Sequence, residues 1–187
     1  MKLSLNPFDD IERVLIDEES IRSKISELGA AISRDYAGKD LTLVSILKGS
    51  VVFLADLLRN ISTQCSIDFI SVSSYKGEPE SSGVVRMIMD LRESPVGKNI
   101  LIVEDIVDTG YTLDYLCRNL LTRGLGSLAV CVLLDKTAAR KKEVRVDYKG
   151  FDVPNEFLVG FGLDYKERYR NIPFVGVLKP EIYKRAK

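Results

Sequence analysis

The sequence predicts an α/β fold, a mostly parallel sheet with helices on both faces. Two observations carry that prediction. Continuously apolar runs of strand length recur along the chain, at 41–47, 100–103 and 128–134. A strand that is apolar at every position is buried on both faces. Between these runs lie segments whose apolar residues recur at helical spacing, and strands alternating with amphipathic helices are the pattern of parallel connections.

The elements follow in order. After an irregular start, Val14, Leu15 and Ile16 form a short apolar run. Asp17 is placed to cap the next helix, with Glu18 and Glu19 complementing its dipole. Ile21, Ile25, Leu28, Ile32 and Tyr36 mark that helix's buried face, and Gly38 ends it. The strand at 41–47 breaks at Lys48, Gly49 and Ser50, and a helix is expected over 51–59. Residues 67–72 read as a strand entering a polar stretch, 73–83, with the profile of a mobile lid. Residues 84–89 are strand-like, and the buried strand at 100–103 runs directly into acids. Leu113, Leu116, Cys117, Leu120 and Leu121 form a helical stripe that Gly124 and Gly126 terminate. Residues 128–134 follow as a strand. In the last third, 157–161 and 174–178 are expected as strands. That third has too little helix to extend the sheet, so it is expected to fold as a hood or flap over the sheet's edge. The whole chain, 1–187, reads as one domain, with a core at about 40–140 and a hood from the N-terminal segment and about 145–187.

Composition removes several chemistries. The chain has 187 residues, 27 Lys+Arg against 27 Asp+Glu, and no histidine. Ser-His-Asp and Cys-His catalysis and His-ligated zinc or haem are thereby excluded. Proton transfer falls to carboxylates, Lys, Tyr, Cys or water. Cys65, Cys117 and Cys131 form no C-x-x-C pair and read as small buried hydrophobes in a reducing compartment. A formal charge of zero supplies no global field for nucleic acid or acidic membranes. With no 18-residue apolar run and no basic-then-apolar leader, the chain is expected in the cytoplasm, without membrane or nucleic-acid partners.

The densest chemistry lies at 103–112, where Glu104, Asp105 and Asp108 stand at the junction of a buried strand and a helix. In open α/β sheets ligands bind outside the carboxyl ends of strands, near a topological switch point. Residues 108–112 would form a tight loop whose N–H groups cradle a phosphate, with Thr109 and Thr112 as hydroxyl donors and Gly110 allowing close approach. Glu104 and Asp105 are costly at a strand end unless satisfied, and a vicinal diol satisfies them. A diol next to a phosphate describes ribose 5-phosphate.

Residues 103–112 resemble the phosphoribosyl-pyrophosphate signature of type I phosphoribosyltransferases. The wider chain resembles their hypoxanthine–guanine branch, through Leu47-Lys48-Gly49, Ser73-Ser74-Tyr75, residues 81–85, Leu134-Asp135-Lys136, and residues 159–165 with Arg170. The resemblance implies the type I phosphoribosyltransferase fold, Mg²⁺ as cofactor, and a homodimer or homotetramer. It implies displacement of pyrophosphate from phosphoribosyl pyrophosphate by a 6-oxopurine base, hypoxanthine or guanine. Glu104, Asp105, Ile106, Val107, Asp108, Thr109, Gly110, Tyr111 and Thr112 would bind the phosphoribosyl group, with Asp108 as catalytic acid/base facing purine N7. Lys48 and Gly49, in a loop where the family often has a cis peptide, would receive pyrophosphate with Arg170. Lys136 would donate to the purine 6-oxo group, Phe157 would stack on the base, and Leu158 would contact it through its backbone. Asp164 would lie near the base and join Glu104 and Asp105 around the metal. Ser74 and Tyr75 would close the lid. Apart from Lys136, the basic residues Arg140, Lys141, Lys142 and Arg145 read as a solvated loop. The alternatives are a regulator on the same fold that binds RNA or DNA, which the balanced charge disfavours, and a transferase that prefers xanthine.

Overall fold

The structure, a computed structural model, describes residues 6–74 and 85–184. Its main sheet contains β2 (Leu41–Leu47), β3 (Cys65–Ser74), β4 (Val85–Met89), β5 (Asn99–Val107), β6 (Ser127–Asp135) and β7 (Tyr148–Asp152), following β1 (Ile11–Ile16) in the chain. The strand order is β4-β3-β2-β5-β6-β7. All neighbours are parallel except β3 and β4. The order reverses between β2 and β5, which makes that crevice the topological switch point.

Strand periodicity divides the core in two. Leu41, Leu43, Leu101, Val103, Cys131 and Leu133 share a cluster with the apolar faces of α1 (Glu18–Asp35) and α2 (Ser50–Arg59). Val44, Ile46, Ile100, Ile102, Val130 and Val132 pack instead with Leu113, Leu116 and Leu120 of α3 (Tyr111–Leu121). The continuous apolar runs are therefore strands covered on both faces. Asp17 caps α1 as expected, its carboxylate accepting from the Ser20 N–H at 2.7 Å.

The last third corrects one expectation. It does extend the main sheet, because β7 pairs in parallel with β6 from Cys131/Tyr148 to Asp135/Asp152. The link from β6 contains only a short 3-10 turn, Thr137–Ala139, so no helix pattern announces a parallel connection. β7 is an edge strand, and its Lys149, Gly150 and Asp152 interrupt the apolar run that marks the central strands.

The remaining strands form a second, three-stranded antiparallel sheet, ordered β1, β9 (Val175–Leu178), β8 (Leu158–Val159). The strand expected at 157–161 is shortened because Gly160 and Phe161 have φ of +93° and +46° and leave the extended conformation. A short helix, α4 (Pro180–Tyr183), follows β9. Of the expected lid, Ser74 ends β3, while Tyr75 and residues 81–84 lie outside the described residues.

Candidate active site

Three parallel neighbours, β2, β5 and β6, end at Leu47, Val107 and Asp135. Lys48, Asp108 and Lys136 are the residues immediately after those ends, so the sheet alone gathers them at one edge. A cavity of about 410 Å³ opens there, lined by Lys48, Gly49, Glu104, Asp105, Ile106, Asp108, Thr112 and Lys136. Its other wall is Phe157, Leu158, Leu163, Asp164 and Arg170, from the chain around β8 and the loop after it. Twelve of the expected residues thus meet in one cavity. Val107 is instead core. Thr109 and Gly110 lie in the loop after Asp108, and Tyr111 begins α3.

That loop is built to present backbone donors. Gly110 has φ +86°, and a Cβ there would stand 2.5 Å from the Lys142 carbonyl. No side chain caps α3, so Asp108 is not a helix cap and the first-turn N–H groups stay open to an anion. The Thr109 carbonyl accepts from the N–H groups of Lys141 at 2.9 Å and Lys142 at 3.0 Å. Residues assigned to a solvated loop therefore brace the cradle through their backbone. Arg140 corrects the same reading more strongly. Its guanidinium is mostly buried and bonds Asp135 at 2.5 Å, a pairing that spacing along the chain does not reveal.

At the cavity's edge of β5 stand Glu104 and Asp105, the latter accepting from the Ile106 N–H at 2.7 Å. Glu104 Oε2 is buried without a hydrogen-bond partner. Burial, and then the neighbouring Asp105, raise its pKa well above the carboxylate range. Burial raises Asp105 to about 6, opposed by the Ile106 N–H and the Arg170 charge. Two desolvated carboxylates need donors or a cation. Among the described residues no three acidic or cysteine side chains gather into a metal cage. The pair therefore fits an oxygen-seeking cation that takes its other ligands from a substrate and water.

A stability prediction follows. The folded pKa of Asp105, about 6, lies above its ordinary value of 3.8. Between those pH values the folded chain keeps a proton that the unfolded chain releases. The group's contribution is full below about pH 4 and is lost as pH rises through about 6. Asp105→Asn should then be more stable than wild type at pH 7.5, by on the order of 1–3 kcal/mol, with the gap closing towards pH 4. Urea denaturation of both proteins without ligand or metal measures this. A gap that ignores pH would show that Asp105 titrates freely.

The loop over residues 160–170 packs directly on the Lys48 loop. A Cβ on Gly162 would strike the Gly49 carbonyl, and one on Gly49 would strike Asp105 Oδ2. The Leu47–Lys48 peptide is cis. Arg170 is held by the Gly162 carbonyl at 2.8 Å and by Asp164 at 2.8 Å. Four non-glycine residues in this loop have positive φ, namely Phe161, Lys166, Glu167 and Tyr169. Such conformations persist where the surroundings impose them, and they cluster at functional sites. Here the anchor includes the Tyr169 hydroxyl, which donates to buried Asp10 at 2.7 Å.

Lys136 is buried, its Nζ 3.4 Å from Asp108 Oδ2. Phe157 stacks on Tyr183, with ring centroids at 4.7 Å, and meets Tyr165 edge-on at 5.5 Å. Glu167, which the sequence reading did not single out, touches both Lys48 and Arg170, at 3.1 and 3.3 Å. Its only sequence signal is its place in a charged run after Asp164.

Residues 15–166 match the family described as the phosphoribosyl transferase domain. The chain is 51% identical over 173 residues to the hypoxanthine-guanine phosphoribosyltransferase of Lactococcus lactis, covering 92% of this chain and 94% of that one. It is 49% identical over 175 residues to the Staphylococcus aureus enzyme of the same name, covering 94% and 98%. A crystal structure of a hypoxanthine phosphoribosyltransferase from S. aureus superposes with a TM-score of 0.92 at 47% identity, covering 96% of this chain and 99% of that chain.

Proposed function

This chain belongs to the phosphoribosyl transferase family, and we propose that it performs the purine-salvage reaction named for its hypoxanthine-guanine relatives. In that reaction the bond from the anomeric carbon of phosphoribosyl pyrophosphate to pyrophosphate breaks, and pyrophosphate leaves with the electron pair. A purine nitrogen bonds to the same carbon, and the purine's proton is given up, yielding IMP or GMP. The observation that carries the reading is the buried, unpartnered Glu104 Oε2 next to Asp105, beside the uncapped start of α3, a diol site next to a phosphate site.

Each remaining group has work in such a site. Residues 108–112 hold the 5′-phosphate, while Glu104 and Asp105 accept from the ribose hydroxyls. Lys48, the backbone at Gly49 and Arg170 meet pyrophosphate. Phe157 and Leu158 form the purine wall, and Lys136 donates to the 6-oxo group. The transition state has oxocarbenium character, so positioning and electrostatics supply most of the rate. Asp108 takes or returns the purine proton at N7. Mg²⁺ fits Glu104 and Asp105, with Asp164 nearby, and when bound it neutralises charge on the pyrophosphate oxygens. The second sheet serves as the hood over this edge, and Ser74 and Tyr75 as part of the lid. Among the described residues no helix is long and apolar enough to cross a membrane. A cytoplasmic homodimer or homotetramer with small-molecule substrates fits this reading.

The test supplies purified protein with phosphoribosyl pyrophosphate, Mg²⁺, and hypoxanthine, guanine, xanthine or adenine separately. Nucleotide from hypoxanthine and guanine is expected. No nucleotide from any base would overturn the assignment, and preference for adenine would overturn the role of Lys136.

A further inference from the structure

Glu167 occupies an unusual place for a surface carboxylate. Its Oε2 lies between the two cations assigned to pyrophosphate, 3.1 Å from Lys48 Nζ and 3.3 Å from Arg170 Nη2. The three residues come from two loops, Lys48 from the one after β2 and Glu167 with Arg170 from the one over 160–170, and 119 positions separate Lys48 from Glu167. The turn that carries Glu167 is held in place. Lys166 and Glu167 have φ of +54° and +62°, and the Glu167 N–H donates to Asp164 Oδ2 at 2.9 Å. A left-handed pair of non-glycine residues is unfavourable in a free loop, so this orientation is imposed by the turn's surroundings.

Resting on the pyrophosphate assignment above, we propose that Glu167 is an internal counter-anion. It fills the pyrophosphate subsite when the site is empty and competes with the diphosphate group for Lys48 and Arg170. Two observations favour competition over positioning. Arg170 is already fixed by the Gly162 carbonyl and Asp164, both at 2.8 Å, so it does not need Glu167 to stay in place. The contacts made by Glu167 are solvent-exposed, with Lys48 and Glu167 side chains 68% and 64% accessible, and exposed pairs are weak enough for a polyanion to displace. A phosphate oxygen placed on either cation would also meet the Glu167 charge, so the carboxylate must withdraw as pyrophosphate enters. When pyrophosphate leaves, Glu167 returns and discourages rebinding.

The experiment is calorimetric titration of inorganic pyrophosphate with Mg²⁺ into wild type, Glu167→Gln and Glu167→Asn, at low and high salt. Asparagine tolerates positive φ and so guards against a disturbed turn. Both variants should bind pyrophosphate about two- to five-fold more tightly at low salt, the scale of losing one or two exposed ion pairs. The advantage should shrink at about 1 M salt, where the screening length is only about 3 Å. IMP, which occupies the phosphate loop instead, should bind all three proteins alike. Unchanged or weaker pyrophosphate binding in both variants would overturn the proposal, and weaker binding would make Glu167 a positioning group. An equal gain for IMP would overturn the placement at the pyrophosphate subsite. Failure of wild type to bind pyrophosphate at all would instead remove the assignment on which the proposal stands.

Discussion

Asp108→Asn is expected to lower kcat by about 10²–10⁴-fold, the usual scale of a general acid/base, while changing the Kd for phosphoribosyl pyrophosphate by less than about threefold. The asymmetry follows from the geometry. Asp108 is the first residue after β5 and its side chain is 53% exposed towards the cavity. Among the described residues it neither caps α3 nor makes another side-chain bond apart from the contact with Lys136 at 3.4 Å. Asparagine has the same shape and keeps an oxygen for the Lys136 ammonium, so the loop and its phosphate donors should persist. What the variant loses is a group that can exchange a proton, and with no histidine in the chain no neighbouring imidazole can replace it. Steady-state kinetics with an independent binding measurement separates the two effects. If turnover and binding fall by the same factor, Asp108 is a ligand-holding group.

Lys136→Met should lower kcat/KM for hypoxanthine and guanine by about 10–100-fold, the equivalent of one hydrogen bond from a charged donor. Lys136 sits after β6, its side chain only 9% exposed, and its backbone N–H donates to the Val107 carbonyl at 2.9 Å. The ammonium is thus fixed at the cavity wall, next to the acid/base. Methionine fills the same channel without the charge, and partly exposed Asp108 remains solvated, so the fold should tolerate the change. Any weak activity with adenine, which lacks the 6-oxo acceptor, should change little. Equal losses for adenine and hypoxanthine would show that Lys136 supports the wall without reading the base.

The central strands were legible because burial on both faces demands apolar residues at every position. The same demand made the polar residues at their ends conspicuous, and Lys48, Glu104, Asp105, Asp108 and Lys136 all meet in the cavity. Legibility fails where burial is one-sided or where contacts are long-range. β7 lies at the sheet's edge, and its mixed composition hid it. The strand expected at 157–161 stops at Val159 because glycine and phenylalanine turn the chain in a way that hydrophobic pattern does not encode. Arg140 and Glu167 looked like members of solvated charged runs, yet one is mostly buried against Asp135 and the other lies between two cations. The family resemblance supplied roles for Phe157, Asp164 and Arg170 that their own surroundings in the sequence would not have suggested.

The most direct test of the account is a crystal structure with IMP bound. The 5′-phosphate should lie against the N–H groups of residues 108–112, and the ribose hydroxyls should lie within hydrogen-bond distance of Glu104 and Asp105. The purine should rest against Phe157, with its 6-oxo group on Lys136. A basic groove of about 800 Å³ beside Arg140, Lys141 and Arg145 offers the nucleotide another place to bind. IMP seated in that groove, or reversed in the cavity with its base at the start of α3, would contradict the account.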